Sequence, residues 1–111
     1  LSTKLDESAL PPRDGEGFLL DRANWNRSVG AQLAALDGLT LEADHWAVIE
    51  LVQAFYDRYG IAPNNRALVR AVKAELGAEL GTSLALMKCF GGAPAKAVAK
   101  YAGLAKPPHC L

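Results

Sequence analysis

Two thiols and two imidazoles are the side chains of this chain best suited to nucleophilic or metal chemistry: Cys89, Cys110, His45 and His109. Cys110 is the most unusual of them. It is the second-to-last of 111 residues, at the end of the run KPPHCL. A helix does not pass through Pro107-Pro108, because the rings remove donors and clash with the preceding turn. Leu111 alone cannot build a core. Cys110 is therefore either incidental or the thiol of a presenting arm. Eight residues run from Gly103 to Cys110, and extended they span roughly 25 Å. The proline pair biases part of that stretch toward polyproline II and lowers the entropy of reaching out. A working thiol must ionise, since the thiolate is the nucleophile. The terminal carboxylate on neighbouring Leu111 opposes ionisation, as like charge raises a thiol pKa. Lys106, His109 or the basic pair Arg66 and Arg70 would have to offset it.

The other candidates carry plainer readings. Cys89 falls in an apolar register beside Met87 and Phe90, where a free cysteine acts as a small hydrophobe. A Cys89–Cys110 disulfide stays open if the tail folds back. His45 lies in the first turn of a long helix and reads as a surface or half-buried histidine. The chain has no C-x-x-C or H-x-x-x-H spacing, so neither a zinc site nor a disulfide framework is expected. No cofactor is expected either. Residues 41–76 read as two helices joined by a short turn, the second bearing Arg66, Arg70 and Lys73. That pattern fits a DNA-binding helix–turn–helix regulator. It fits equally a packed helical hairpin with a solvated basic face, which the neutral net charge favours.

The elements that must position these groups read as one domain over residues 1–111. Half of the chain is apolar, and 12 basic residues balance 12 acidic ones. A neutral chain has no global attraction to nucleic acid or anionic membrane, so neither is an expected partner. No apolar run is long enough to cross a bilayer. LSTKLDES at the start lacks the apolar core of a signal peptide. With few cysteines, the expected setting is the reducing cytoplasm.

Pro11-Pro12 and Asp14-Gly15-Glu16-Gly17 precede a short apolar run, which predicts a small N-terminal β-hairpin or extended arm. Residues 1–14 are a candidate disordered lead. Asp21 is the expected cap of a first helix with the stripe Trp25, Val29, Leu33 and Leu36, ended at Gly38. Thr40 is the expected cap of a long helix through Trp46, Ile49, Val52, Phe55, Tyr56 and Tyr59, closed by Gly60. Asn64 or Asn65 starts a third, with Leu68, Val69, Val72 and Leu76 inward. Thr82 caps a short fourth, and Pro94 opens a last helix over 94–102 that ends at Gly103. Nothing periodic follows, and 104–111 reads as a mobile, cysteine-bearing tail. The expected fold is mainly α: a compact bundle with a helix–turn–helix-like core, the small hairpin and a flexible C-terminal arm.

The run GAPAKAVAKYAGLAKPPHCL resembles the C-terminal signature of the DsrC/TusE family. Pro94, Ala95, Lys96, Lys100, Ala102, Gly103, Leu104, Lys106, Pro107 and Cys110 match it without a gap. GEGFLLDRANWN, LTLEADHWAVIELVQAFYDRYGIAP and RALVRAVKAELG resemble the family's upstream segments, with Arg66 at that last segment's arginine. The resemblance implies a small cytoplasmic sulfur-relay protein, a sulfurtransferase-type carrier rather than a stand-alone enzyme, with sulfur held as a persulfide on Cys110. For TusE-type members it implies a TusBCD-like or other sulfurtransferase as donor and the tRNA 2-thiouridine enzyme as acceptor. For DsrC-type members it implies dissimilatory sulfite reductase as partner and a second tail cysteine eleven residues before the last. Here that position is Ala99, which points to a single-cysteine, TusE-like carrier. Gly91, Ala93, Ala97 and Ala105 also depart from the family pattern. Arg66 is the expected holder of the thiolate or persulfide charge, with Lys106 and His109 helping.

Overall fold

Short polar side chains set the helix starts. In the computed structural model, which describes residues 10–108, Asn26 Oδ1 accepts from the Val29 amide (2.8 Å), Asn64 Oδ1 from Ala67 (2.9 Å) and Thr82 Oγ1 from Ala85 (3.0 Å). Each bond satisfies an amide that the first turn of a helix leaves without a partner. The helices are α1 (Arg27–Leu36), α2 (Ala43–Tyr59), α3 (Asn65–Leu76), α4 (Ser83–Phe90) and α5 (Pro94–Tyr101). No helix among the described residues is long and apolar enough to cross a membrane.

Two starts differ from expectation. Asp21 caps only a single 3₁₀ turn, Arg22–Asn24, and α1 begins after Asn26. Trp25 therefore sits ahead of the helix rather than on its stripe. Before α2, Glu42 rather than Thr40 is the cap, because His45 Nδ1 accepts from the Glu42 amide at 2.9 Å. The predicted N-terminal β-hairpin is not formed. Among the described residues the only pairing is one antiparallel bridge, Arg13 with Leu19. Asp14 explains the difference. Its Oδ1 accepts from the amides of Glu16 (2.9 Å) and Phe18 (3.0 Å), which closes a tight side-chain-directed loop. Pro11 and Pro12 lack the N–H a longer ladder requires.

The last helix is the middle of the molecule. α5 packs against α1, α2, α3 and α4. Its inner face is small: Ala95, Val98 and Ala99 are almost wholly buried, as is Ala102 just past its end. Small side chains there let four neighbours approach one axis. The surrounding core is aliphatic, with Leu33, Val48, Ile49, Val52, Leu68, Val72 and Leu86 at 2 % exposure or less. Each such side chain contributes about 1.5–3 kcal/mol on leaving water. The outer ends of the predicted stripes lie outside this core, since Leu36 and Tyr59 are exposed.

His45 is buried rather than superficial. Its Nε2–H donates to the Cys89 carbonyl at 2.9 Å, and its ring meets the edge of Phe90 at 5.1 Å. One imidazole thus caps α2 and pins the end of α4. His45→Phe keeps the ring contact and removes both bonds. We expect a loss of about 2 kcal/mol, measured by urea unfolding.

Candidate functional site

The site is built where α5 gives way to the C-terminal segment. Gly103 adopts φ +77°. Its amide donates to the Lys100 carbonyl (3.1 Å), and the Leu104 amide reaches back to the Ala99 carbonyl (3.0 Å). This paired closure satisfies the last carbonyls of the helix and turns the chain sharply. Three side chains lock the turn from outside. Trp25 Nε1–H donates to the Tyr101 carbonyl at 2.7 Å, and Gln53 Nε2 donates to the Ala102 carbonyl at 3.2 Å. The Tyr101 hydroxyl donates to Asp37 Oδ2 at 2.8 Å. Burial first, and then Asp37, push the Tyr101 phenol far above its ordinary range, so it stays a donor. Leu104 is 1 % exposed. The segment thus starts from a rigid ring of contacts, not from a frayed helix end.

Beyond Leu104 the segment stays near the body. Ala105 and Lys106 are exposed, Pro107 is buried and Pro108 is exposed. Lys106 Nζ lies 3.4 Å from both carboxylate oxygens of Glu16. Lys96 Nζ lies 2.7 Å from Glu16 Oε1. One carboxylate therefore links the first turn of α5 to the base of the tail. Its pKa is lowered, chiefly by the Lys96 bond, with Lys106 adding to it and partial desolvation opposing. Lys100, one turn further along α5, pairs with Asp37 at 3.3 Å.

The predicted site residues are only partly brought together. Cys110 and His109 lie outside the described residues. Lys106 is held by Glu16. Arg66 is exposed in the first turn of α3, and Arg70 and Lys73 are exposed further along the same helix. The residue before Arg66 ties that turn to α5, since Asn65 Oδ1 accepts from the Ala95 amide at 2.9 Å. Both links, Asn65 to Ala95 and Glu16 to Lys96, thus converge on the head of α5. Cys89 is half-buried at the end of α4. Burial, and secondarily Asp44, raise its thiol pKa, which keeps it protonated and poorly nucleophilic. Glu16, Trp25 and Gln53 were not singled out as functional from sequence. Nothing in DGEG marks Glu16 as a partner for residues 80 and 90 positions away. Trp25 had a signal as the tryptophan of the GEGFLLDRANWN segment.

A small helical body with a central last helix and a C-terminal segment turned sharply at Gly103 defines the class. The match to the DsrC-like protein family covers residues 7–111, and this chain belongs to that family. It is 37% identical over 99 residues to the sulfurtransferase TusE of Buchnera aphidicola, covering 89% of this chain and 87% of that one. It is 36% identical over 105 residues to TusE of Yersinia pseudotuberculosis, covering 95% and 97%. Its fold superposes on DsrC of Allochromatium vinosum with a TM-score of 0.81 at 38% identity, covering 89% and 88% of the two chains. It superposes on the oxidized gamma-subunit of the dissimilatory sulfite reductase from Archaeoglobus fulgidus with a TM-score of 0.78 at 30% identity, covering 91% and 92%.

Proposed function

We propose that this protein is a single-thiol sulfur carrier, with Cys110 as the carrying residue. The observation that carries the reading is that the family match extends through residue 111 and so takes in Cys110. The relatives called sulfurtransferase TusE, similar over most of both chains, support the relay role. The Cys110 thiolate attacks the terminal sulfur of a donor persulfide. A sulfur–sulfur bond to Cys110 forms as the donor's own sulfur–sulfur bond breaks. The donor leaves as a thiolate, and the proton of the sulfane sulfur stays on the new Cys110 persulfide or exchanges with water. No net oxidation occurs, so the step requires no cofactor. The reverse attack by an acceptor thiolate unloads the carrier.

Residues 104–111 act as the arm. Arg66 balances the charge of the thiolate or persulfide when the arm lies against the body, and its fixed place near the head of α5 supports that role. His109, next to the thiol, and Lys106 favour the ionised form against the terminal carboxylate. The donor is a TusBCD-like or other sulfurtransferase and the acceptor is a tRNA-thiolating or related enzyme, in the cytoplasm.

A second reading is favoured by one neighbour, the sulfite reductase gamma-subunit. In it the protein associates with a dissimilatory sulfite reductase. Ala99, wholly buried on α5, removes the second thiol of that chemistry. Co-purification with sulfite reductase would favour this reading over the relay to tRNA.

The test is intact-mass analysis after incubation with a cysteine desulfurase and cysteine. We expect a gain of about 32 Da, one sulfur atom, on the C-terminal peptide. Cys89→Ala should load as the parent does. Sulfur found on Cys89 and not on Cys110 would overturn the assignment.

A further inference from the structure

We propose that Glu16 is a positioning residue for the cysteine arm: its carboxylate seats the arm's base on the body by joining Lys106 to Lys96, and so sets how far Cys110 can reach. The inference rests on the sulfur-carrier reading and concerns the same arm.

Glu16 is presented, not dangling. Asp14 Oδ1 holds the Glu16 and Phe18 amides, Gly17 N–H donates to the Asp14 carbonyl at 3.0 Å, and the Phe18 side chain is anchored in the core at 2 % exposure. The loop lies along α5, with Gly17 beside the Lys100 side chain. The carboxylate therefore stands at a fixed place between Lys96 Nζ at 2.7 Å and Lys106 Nζ at 3.4 Å. Without it, Lys106 loses the anionic partner that draws the arm's base toward α5.

The consequence is one of reach. With the chain seated through Pro107, only Pro108 and His109 separate it from Cys110, and the three steps extend about 10 Å at most. With the base released, the span counted from the buried Leu104 is roughly 20 Å. The seated arm keeps the thiol close to the body, and the released arm can enter a partner's site. Exposed ion pairs are weak, so the seat is reversible and salt-sensitive. It is also pH-sensitive in a defined direction. Because the Glu16 pKa is lowered in the folded protein, the tie is complete above the ordinary carboxylate range. It is lost as pH falls through the lowered Glu16 value.

The experiment compares the full chain with Glu16→Gln. Nitrogen-15 relaxation follows the amides of Ala105, Lys106, His109 and Cys110. Sulfur uptake is measured from inorganic polysulfide and from a persulfide-charged cysteine desulfurase. We expect faster motion of those amides in E16Q at low salt. Added salt should loosen the parent arm and leave E16Q unchanged. Uptake from polysulfide should be the same in both proteins, while uptake from the desulfurase should rise about two- to fivefold, the range that exposed ion pairs can supply. Unchanged amides in E16Q would overturn the tie. Unchanged or slower uptake from the desulfurase with freed amides would overturn its control of reach. If neither source loads Cys110, the carrier reading falls, and the amide data decide the tie alone.

Discussion

Cys110→Ser should abolish sulfur uptake. The serine hydroxyl is nearly isosteric with the thiol but does not ionise near neutral pH, and persulfide transfer requires an attacking thiolate. The only other thiol in the chain, Cys89, cannot take over. It is half-buried, and its pKa is raised by desolvation and by Asp44. We therefore expect the parent and Cys89→Ala to gain sulfur equally on incubation with a persulfide donor, and Cys110→Ser to gain none. Thermal stability should be the same in parent and Cys110→Ser, since the two side chains are nearly isosteric. A Cys110→Ser protein that still gains sulfur would show that the carrier thiol lies elsewhere.

Gly103→Ala should cost much of the protein's stability. Two effects act together. Gly103 has φ +77°, where a Cβ strains the backbone. That Cβ would also stand 2.5 Å from Trp25 Cδ1 and 2.6 Å from Cγ, well inside contact distance. Trp25 cannot easily retreat, because its indole N–H is bonded to the Tyr101 carbonyl and its ring also meets Gly30. Strain and overpacking sum to about 3 kcal/mol, or a fall in Tm of about 15 °C for a domain of this size. Gly38→Ala separates the two effects. Gly38 has φ +80°, and a Cβ added there would meet no atom within 4 Å, so it should lose only the strain, about 1 kcal/mol. Equal losses at the two positions would show that Trp25 does not clamp the turn. Calorimetry of the two variants decides it. Because this turn launches the arm, a partly folded Gly103→Ala should also load sulfur less efficiently at temperatures where the parent is fully active.

The helices were legible because their signals are local. A cap bonds an amide two or three residues away, and an aliphatic stripe repeats every turn. Asn64, Thr82, Gly60 and Pro94 accordingly mark ends that the structure uses. The hairpin reading failed for a local reason as well. Asp14-Gly15 suits a hairpin turn, but the Asp14 side chain bonds the loop's own amides and the prolines deny the ladder its donors. His45 was misjudged because the contacts that bury it are not local. Its ring bonds a carbonyl 44 residues away.

By itself, the sequence determined the family, through the run from Pro94 to Cys110, and pointed to the proposed thiol chemistry through Cys110 and Ala99. It also determined that helices would form and roughly where. Tertiary structure alone decided which helix is central, that Trp25 and Gln53 hold the end of α5, and that Glu16 meets Lys96 and Lys106. The reason is physical. Reactivity and helix signals reside in a residue and its near neighbours, whereas a contact across 80 or 90 positions exists only after the core has closed and fixed both partners in one place.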